Sequence, residues 1–411
     1  MAKPGTNTTI GGSLGKIDAV EDGNSILVLS GVAVGGKFAL GDVLGPFLEL
    51  GDAELMGIDE AYDTTNTTIA WKHIKDFYVE APKGTKLWVM VVAMTQTLTV
   101  TATAATANGY KKAVDFVEGN APLVGLTFTP DGSYTPTYDG QLEADLLTAL
   151  AQIKITAEAH RLTKDPYRVI VEGRNFQGTP ASLTNYRASG TTPGVNRAMV
   201  VIGNDYAYGE GAGYKSKYAS VGAALGRAAA NKVNRNIGRV KSGSLSSITT
   251  GGLSNGAKIS TITDTQQGLI SDYGYVFMLK HKRKSGFFFN DDHMACVSTD
   301  TYGQLTNGRT VDKIDKIVHA TNIEEILDEV EVDPATGQLD ATTAKHYESL
   351  LEDAVNDQMG GSNKEISGLK AFVDPAQNII SLSALVEKLT TVPTGTLRQI
   401  NTTIELAASL D

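Results

Sequence analysis

The residues that most resemble a binding motif form a glycine-rich turn near the N-terminus. Residues 31–38 read GVAVGGKF and follow the apolar run ILVLS, so they nearly match the phosphate-binding pattern GxxxxGK[ST]. The last position of that pattern needs a hydroxyl group to hold Mg²⁺, and Phe38 has none. Gly41, Gly45 and Pro46 follow where a phosphate-binding loop opens into a helix. A strand and a plain glycine turn are therefore favoured over a nucleotide site.

A second cluster, residues 290–293, reads NDDH and contains side chains that bind metal ions. Adjacent residues of a strand point to opposite faces, so these four cannot converge on one ion without a sharp turn. For Asp291 and Asp292 we favour capping of the turn after the aromatic residues 287–289, or pairing with Arg309, over metal binding.

No other pattern of nucleophiles or ligands stands out. The six histidines are isolated and show no ligand spacing such as HxxxH: His73, His160, His281, His293, His319 and His346. The serines of residues 243–247 do not form GxSxG. The single cysteine, Cys296, cannot make an internal disulfide, so we interpret it as a buried structural thiol. The sequence thus predicts no cofactor, no metal and no enzyme activity.

The composition excludes several classes of protein. The chain has 411 residues, of which 41% are hydrophobic and 20% charged, as in folded soluble proteins. A net charge of -10 disfavours direct binding of nucleic acid, and the basic residues 280–284 are either a solvated turn or a contact for an acidic protein. No apolar stretch has the length of a signal peptide or a membrane span, so we expect a protein made in a cytoplasm, without membrane insertion.

Near-continuous apolar runs predict strands that are buried on both faces of a sheet. They occupy residues 26–34, 87–94, 123–128, 167–171 and 198–202. The helical spacing of apolar residues in 142–157 supplies a covering helix, and an α/β lobe follows.

The remaining segments are assigned from composition and periodicity. Helices are predicted over 71–78, 219–236, 311–318, 323–330 and 344–359, an extended segment over 94–107, and a surface loop or domain boundary over 241–256. Residues 333–337 read as a turn, and the last helix is expected to end at Gly360.

Both ends of the chain are polar, rich in threonine and prone to form strands. Residues 6–14 and 397–410 would leave backbone donors and acceptors unpaired if they formed strands at the ends of the chain. Pairing with another subunit would satisfy these groups, and so would an edge position within the same subunit or a frayed tail. The sequence leaves these alternatives open.

Five passages, in their order along the chain, resemble the contractile tail sheath proteins of phage tails and related injection machines. They are ILVLSGVAVGGKFALGDVLGPF, HIKDFYVEAPKGTKLWVMVV, SVGAALGRAAANKVNRNIGRV, SGFFFNDDHMA and QNIISLSALVEKLTTVPTGTLRQINTTIELA. The resemblance covers nearly the whole chain. It lies in the order of these passages and in their residue composition, and none of them is a highly specific motif. It departs from the family pattern at Phe77 and Tyr78, which replace the usual aromatic pair, and at the inserted Pro82.

The resemblance implies an α/β N-terminal lobe plus an α+β C-terminal sheath domain, with extended β-strand arms at both termini. The expected units are an N-terminal arm (residues 1–20), the α/β lobe (21–205), the sheath domain (206–395) and a C-terminal arm (396–411). It also implies a structural subunit that forms sixfold rings, stacked helically around an inner tail tube protein. Such a sheath contracts to drive the tube through a cell envelope, meets baseplate and terminator proteins, and is assembled in the bacterial host cytoplasm.

Carried over by position, the resemblance also assigns residues to contacts between subunits. The two arms would pair through Thr8, Thr9, Ile10, Ile400, Thr402, Ile404 and Leu406. The helix that contacts the tube would begin with Lys345 and His346 and include Glu348 and Glu352; a plain surface helix is the alternative.

Two other classes of function remain. One is a cytoplasmic α/β nucleotide-binding or hydrolytic enzyme, which a bound nucleotide or loss of activity in Lys37→Ala would favour. The other is a tail tube or baseplate component, which would form rings that do not contract.

Overall fold

The computed structural model describes residues 21–177, 179–191, 194–210 and 213–403. The strands within them are β1 Ser25–Gly31, β2 Val43–Phe47, β3 Leu87–Ala93, β4 Leu123–Leu126, β5 Tyr138–Asp139, β6 Leu142–Glu143, β7 Arg168–Glu172, β8 Ala198–Val201, β9 Gly203–Asp205, β10 Gly251–Leu253, β11 Tyr275–Val276, β12 Met278–Leu279, β13 Phe288–Phe289, β14 Ile366–Val373 and β15 Glu387–Pro393. The α-helices are α1 Leu50–Leu55, α2 Glu60–Asn66, α3 Ala70–Glu80, α4 Leu98–Ala102, α5 Tyr110–Val117, α6 Ala144–Leu162, α7 Tyr206–Gly209, α8 Val221–Ala230, α9 Asp264–Asp272, α10 Leu305–Asn322, α11 Ala341–Met359 and α12 Ile379–Leu382.

A seven-stranded sheet forms the centre of the larger unit. Its strand order is β11, β8, β7, β4, β1, β3 and β2. All neighbours run parallel except β2, which is antiparallel to β3. The five predicted buried strands are confirmed as β1, β3, β4, β7 and β8, and each is buried along nearly its whole length. Their apolar runs are continuous because helices cover both faces of the sheet.

Different helices cover the two faces. One face packs against α4, α5 and α6, so the predicted covering helix is confirmed. The other face packs against α3 and α8, and the helix predicted over residues 71–78 is α3. The backbones of α3 and α8 approach closely, since a Cβ atom at Gly222 would lie 2.1 Å from the carbonyl oxygen of His73, and one at Gly226 would lie 2.4 Å from that of Phe77. The small residues of α8 are therefore needed for this contact.

The extended segment predicted over residues 94–107 is wrong, because it contains the helix α4. Thr97 caps that helix. The carboxylate of Asp145, on α6, accepts hydrogen bonds from the backbone N–H groups of Leu98 at 2.7 Å and Thr99 at 3.1 Å. The first N–H groups of a helix have no partner within the helix, and here an acceptor 46 residues away binds them. The local β propensity of residues 94–107 contains no information on this distant contact.

Three further predictions are corrected in part. The helix predicted over 219–236 ends at Ala230. The segment 241–256 is not only a surface loop, since it contains the buried strand β10, which pairs with β9. The helix predicted over 323–330 is a single 3-10 turn, Ile323–Glu325, and Leu327 lies beyond it with a φ of 71°. Within this segment Ile323, Ile326 and Leu327 are exposed, Leu327 to 99%, whereas Val330 packs against the cluster that contains Tyr347 and Val373.

A smaller unit follows the sheet and is built from α10, α11, β14 and β15. Its two apolar clusters lie between the helices and the hairpin; one contains Ile317, Val355 and Ile366, and the other contains Tyr347 and Val373. The predicted helices over 311–318 and 344–359 are α10 and α11, and α11 ends at Gly360 as expected. The boundary expected at residue 205 lies within the larger unit, since β11 is an edge strand of its sheet.

Buried charges on α10 join the two units. The carboxylate of Asp312 accepts hydrogen bonds from Arg168 on β7 at 2.6 Å and 2.9 Å, and from Arg197 next to β8 at 2.7 Å. The next residue, Lys313, pairs with Asp22 at 2.7 Å and with Glu365 at 2.9 Å. These buried ion pairs hold α10, and with it the smaller unit, against the larger unit.

In the described part of the chain, no helix is both long enough and apolar enough to cross a membrane.

The cluster around Asp312 predicts a large effect on stability. Asp312→Asn leaves the buried Arg168 and Arg197 without their shared carboxylate, so we expect the free energy of unfolding to fall by about 3–5 kcal/mol. Asp315→Asn is the matched control on the same helix. Its partner Lys164 is exposed, so a change of at most about 1 kcal/mol is expected. Urea unfolding of both variants tests this, and equal losses would contradict the assignment.

Candidate assembly interface

The glycine-rich turn after β1 has no phosphate-binding geometry. The chain turns back at once, with the N–H of Lys37 donating to the carbonyl of Val34 at 3.0 Å. Phe38 is buried, Lys37 is exposed, and the next element is β2 rather than a helix. No row of free N–H groups at a helix N-terminus faces this turn, which is what a phosphate site requires.

The pair Asp291 and Asp292 lies after β13 and binds an arginine from the C-terminal arm. Arg398 Nε donates to Asp291 Oδ2 at 2.8 Å, and its Nη2 lies 3.4 Å from Asp292 Oδ1. The expected pairing with Arg309 is wrong, because that buried guanidinium donates to the backbone carbonyls of Ala228, Asn231 and Asp22. The described residues contain no cluster of His, Cys, Asp and Glu side chains that could hold a metal ion.

The carboxyl ends of parallel strands are where open α/β sheets usually bind ligands, and here this edge is filled by the chain itself. Glu172, at the end of β7, is fully buried. Its carboxylate accepts hydrogen bonds from the backbone N–H groups of Phe128 at 2.7 Å and Ala219 at 2.8 Å. Burial nevertheless raises the pKa of this carboxyl to about 7.

The hairpin of β14 and β15 is the part of the structure best suited to contact another chain. The strands are antiparallel, with Ala371 opposite Leu389 and Val373 opposite Glu387. A two-stranded sheet is marginally stable in water and exposes unpaired backbone groups on both edges. Which edge is available therefore decides where a further strand could add.

The helix α11 closes one of these edges. Glu352 accepts a hydrogen bond from the N–H of Ala371 at 2.8 Å, and Glu348 accepts one from the N–H of Val373 at 3.0 Å. Both donors lie on the side of β14 that faces away from β15. The carboxylates occupy the positions that the carbonyls of an added strand would take.

The outer edge of β15 is open in the described structure. Residues opposite each other in an antiparallel pair share the direction of their backbone groups. Since Ala371 and Val373 donate away from the hairpin, Leu389 and Glu387 also direct their backbone groups outward. Thr391, opposite Leu369, follows the same alternation. Among the residues that the structure describes, none bonds to the N–H or carbonyl of Leu389 or Thr391 on that side.

The residues predicted for subunit contacts fall into three groups. Ile400 and Thr402 are exposed and lie in no strand. Thr8, Thr9, Ile10, Ile404 and Leu406 lie outside the described residues. The four residues of the predicted tube-contact helix lie on α11. Lys345 and His346 are exposed, while Glu348 and Glu352 turn toward β14.

The model of one family, described as DUF2586, N-terminal domain, matches residues 20–293, which include the whole seven-stranded sheet. This chain belongs to the DUF2586 family. No curated protein matches its sequence.

Two solved structures share the fold of this DUF2586 chain over nearly its full length. One is a chain of the cryo-EM structure of the anti-feeding prophage baseplate, six-fold symmetrised, with 10% identity, 99% coverage of both chains and a TM-score of 0.60. The other belongs to the sheath complex, in the contracted state, of PVC, an extracellular contractile injection system. It has 10% identity, covers 99% of this chain and 98% of its own, and has a TM-score of 0.59. Since both identities are low, the likeness shows the fold.

A buried charged cluster on α3 was missed by the sequence analysis. Lys72 pairs with Asp76 at 2.6 Å and lies 3.9 Å from Asp205. Burial lowers the pKa of the neighbouring His73 to about 3 and raises that of Asp76 to about 7. These groups are enclosed between α3, α8, the end of β9 and α7, and they are buried. The alternation of charged and apolar residues in AWKHIKDF resembles a solvated helix face, so the sequence gives no signal for this burial.

The raised pKa of Glu172 predicts a pH effect. Its folded pKa of about 7 exceeds that of an ordinary glutamate, so the folded state binds the extra proton between about pH 4.5 and 7. The stability of the protein should therefore fall as pH rises through this window. Glu172→Gln keeps one acceptor and cannot ionise. We expect it to be about as stable as the parent chain at pH 4.5, and more stable by about 1–3 kcal/mol at pH 8. Urea unfolding at both pH values tests this; a difference that does not depend on pH would contradict it.

Proposed function

We propose that this chain is a non-enzymatic structural component of a contractile injection system and assembles with other proteins of such a machine. The likeness to chains of a baseplate structure and a sheath complex extends over 99% of this chain, so it includes the hairpin unit as well as the sheet. The filled carboxyl edge of the sheet, with Glu172 bound by two backbone N–H groups, supports a structural role.

Within that class we propose a sheath subunit. Copies would form sixfold rings, stacked helically around an inner tube protein, and would contract to drive the tube through a target envelope. The assembly would form in the cytoplasm of a bacterial host and would meet baseplate and terminator proteins at its ends. Contraction would use free energy stored during assembly and would need no nucleotide, in keeping with the closed turn around Lys37.

The single observation that carries the proposal is the outer edge of β15, which has no backbone partner among the described residues. An arm from a neighbouring copy would add there as a third strand, through the outward groups of Glu387, Leu389 and Thr391. The polar, β-prone ends of the chain, which include Thr8 to Ile10 and Ile400 to Leu406, are the segments proposed to add. Addition to β14 is disfavoured because Glu348 and Glu352 occupy its edge.

We propose α11 as the helix that contacts the inner tube. Its solvent face carries Lys345 and His346 at the start and Asp353 and Asp357 farther along. A tube surface that meets this face would need basic groups opposite the two aspartates.

A baseplate component is the second candidate. The TM-scores of the two solved chains, 0.60 for the baseplate structure and 0.59 for the sheath complex, do not separate the two roles. The two candidates differ in the particles they form. A sheath subunit extends to long cylinders, whereas a baseplate component stops at a closed ring.

Blocking the open edge tests the site of strand addition. Thr391→Pro removes an outward N–H and should leave the β14 ladder intact, because proline is tolerated on edge strands. We expect a folded subunit that assembles at least about tenfold less well, since the added strand loses a backbone hydrogen bond and meets the proline ring. Thr391→Val, which keeps the N–H, is the control. Sedimentation and circular dichroism supply the readouts, and normal assembly of the proline variant would exclude this edge.

Removing the arm tests the proposed function itself. A chain that ends at Arg398 lacks residues 399–411 and should remain monomeric, because no C-terminal strand is left to add to a neighbour. Negative-stain electron microscopy of the full-length chain should show hollow ridged cylinders. Cylinders from the shortened chain would show that this arm is not the link, and closed rings from the full-length chain would favour the baseplate role.

A further inference from the structure

The segment that follows β15 returns from the smaller unit to the larger one. Two side-chain contacts hold it there. Asn234 Nδ2 donates to Thr394 Oγ1 at 2.9 Å, and Arg398 binds the pair Asp291 and Asp292. In the described residues 394–403, no backbone-to-backbone hydrogen bond is formed. The position of this segment therefore depends on side chains alone.

Three residues, Asp291, Asp292 and Asn236, form the binding site for Arg398. Asp291 accepts from Arg398 Nε at 2.8 Å and from its Nη2 at 3.3 Å, so the guanidinium is held through two nitrogens. Asn236 Nδ2 donates to Asp291 Oδ1 at 2.5 Å and to Asp292 Oδ1 at 2.9 Å, which fixes the orientation of both carboxylates. Two-nitrogen binding of a carboxylate is specific to the planar guanidinium group and is not reproduced by lysine.

This binding site needs a cation. Asp292 is completely buried, and burial together with the neighbouring carboxylate of Asp291 raises the pKa of Asp292 to about 7, so its charged form needs a positive partner. The neighbouring His293 does not neutralise the two carboxylates at pH 7, since burial lowers its pKa to about 4. Its Nδ1 is within 2.9 Å of Arg187, which is thereby engaged with the histidine ring. Arg398 is thus the cation that directly contacts both carboxylates.

The rest of the segment gains little from its position. Leu397 is 84% exposed and Ile400 is 78% exposed, so neither apolar side chain is buried against the larger unit. Since hydrophobic contacts do not hold these residues, the arginine is the main attachment.

We propose that Asp291, Asp292 and Asn236 form an arginine socket that anchors the C-terminal arm on its own subunit. This inference rests on the proposed function. Arg398 is then a positioning residue that fixes the point from which residues 399–411 leave toward a neighbour.

The first experiment measures the arm in the isolated subunit. A fluorophore is attached to a cysteine introduced at Gln399, and the native Cys296 is buried. We expect Arg398→Gln to lower the fluorescence anisotropy of this label, Arg398→Lys to lower it partly, and the control Arg239→Gln, whose arginine contacts only Ser242 on an exposed turn, to leave it unchanged. An anisotropy that does not change in Arg398→Gln would show that the socket does not hold the arm.

The second experiment measures the critical concentration for assembly. Arg398→Gln should raise it at least tenfold, because a free arm must be ordered before it can pair. The double variant Arg398→Gln/Asp292→Asn distinguishes loss of the anchor from loss of stability. It removes the Asp292 carboxylate that Arg398→Gln leaves without its arginine, and it does not restore the anchor. Both oxygens of Asp292 accept hydrogen bonds, from Asn236 and from the backbone N–H of Thr306, so the asparagine loses one of them. We expect the double variant to be no less stable to urea than Arg398→Gln and to assemble as poorly as that single variant.

The outcomes distinguish this inference from the proposed function. Recovery of assembly in the double variant, or a lowered critical concentration in Arg398→Gln, would overturn the anchor. If the parent chain forms no particles, the proposed function fails, and the anisotropy measurement still decides whether the socket holds the arm.

Discussion

The structure depends on a difference between the two edges of one hairpin. A two-stranded sheet normally presents a row of backbone donors and acceptors on either side, and such edges pair with other chains without selectivity. Here Glu348 and Glu352, one turn apart on α11, accept the outward N–H groups of Val373 and Ala371, so that part of the β14 edge is occupied. The edge of β15 has no such partner among the described residues. Under the proposed function, assembly through this hairpin would be limited to one side and one geometry, which a repeating particle requires.

A strand that adds to β15 would be mechanically connected to the rest of the subunit. A force on the added strand would pass from β15 through its backbone hydrogen bonds to β14. Glu365, immediately before β14, pairs with Lys313 on α10. From the same helix, Asp312 binds two arginines that lie at the ends of strands in the central sheet. Each contact is a buried, charge-assisted pair, so the two units are expected to move as one body when neighbouring subunits shift.

The sequence was most informative where burial is continuous and least informative where contacts are distant. The five buried strands and the helices α3, α6, α10 and α11 follow from apolar periodicity, because burial on one or two faces leaves a clear pattern. The helix α4 was missed because its start is capped by Asp145, which no local rule connects to residue 98. The segment 323–330 has helical spacing, but Ile323, Ile326 and Leu327 are exposed, so periodicity alone overpredicted a helix there.

The candidate interface was predicted only in outline. Strand-forming ends and a C-terminal helix were visible in the sequence, but the partner of Arg398 and the roles of Glu348 and Glu352 were not. Acidic residues at these positions on α11 look like a solvated helix face until the hairpin is placed beside them. Likewise, the sequence favoured a turn cap or Arg309 for Asp291, since it contains nothing that brings residue 398 near residue 291. Long-range pairing of charges is what decides this site.

The energetics of one added strand argue for assembly on a template. The outward groups of Glu387, Leu389 and Thr391 allow a few hydrogen bonds, each with a net contribution of about 0.5–1.5 kcal/mol. Association of two proteins costs roughly 4–15 kcal/mol in lost freedom of movement, so one such contact does not hold two free subunits together. In a ring each subunit both donates an arm and accepts one, and further contacts form within a fixed geometry at high effective concentration. A subunit with one open edge and an anchored arm would therefore assemble cooperatively: it would stay monomeric below a critical concentration and, above it, would add to growing ends that supply several contacts at once.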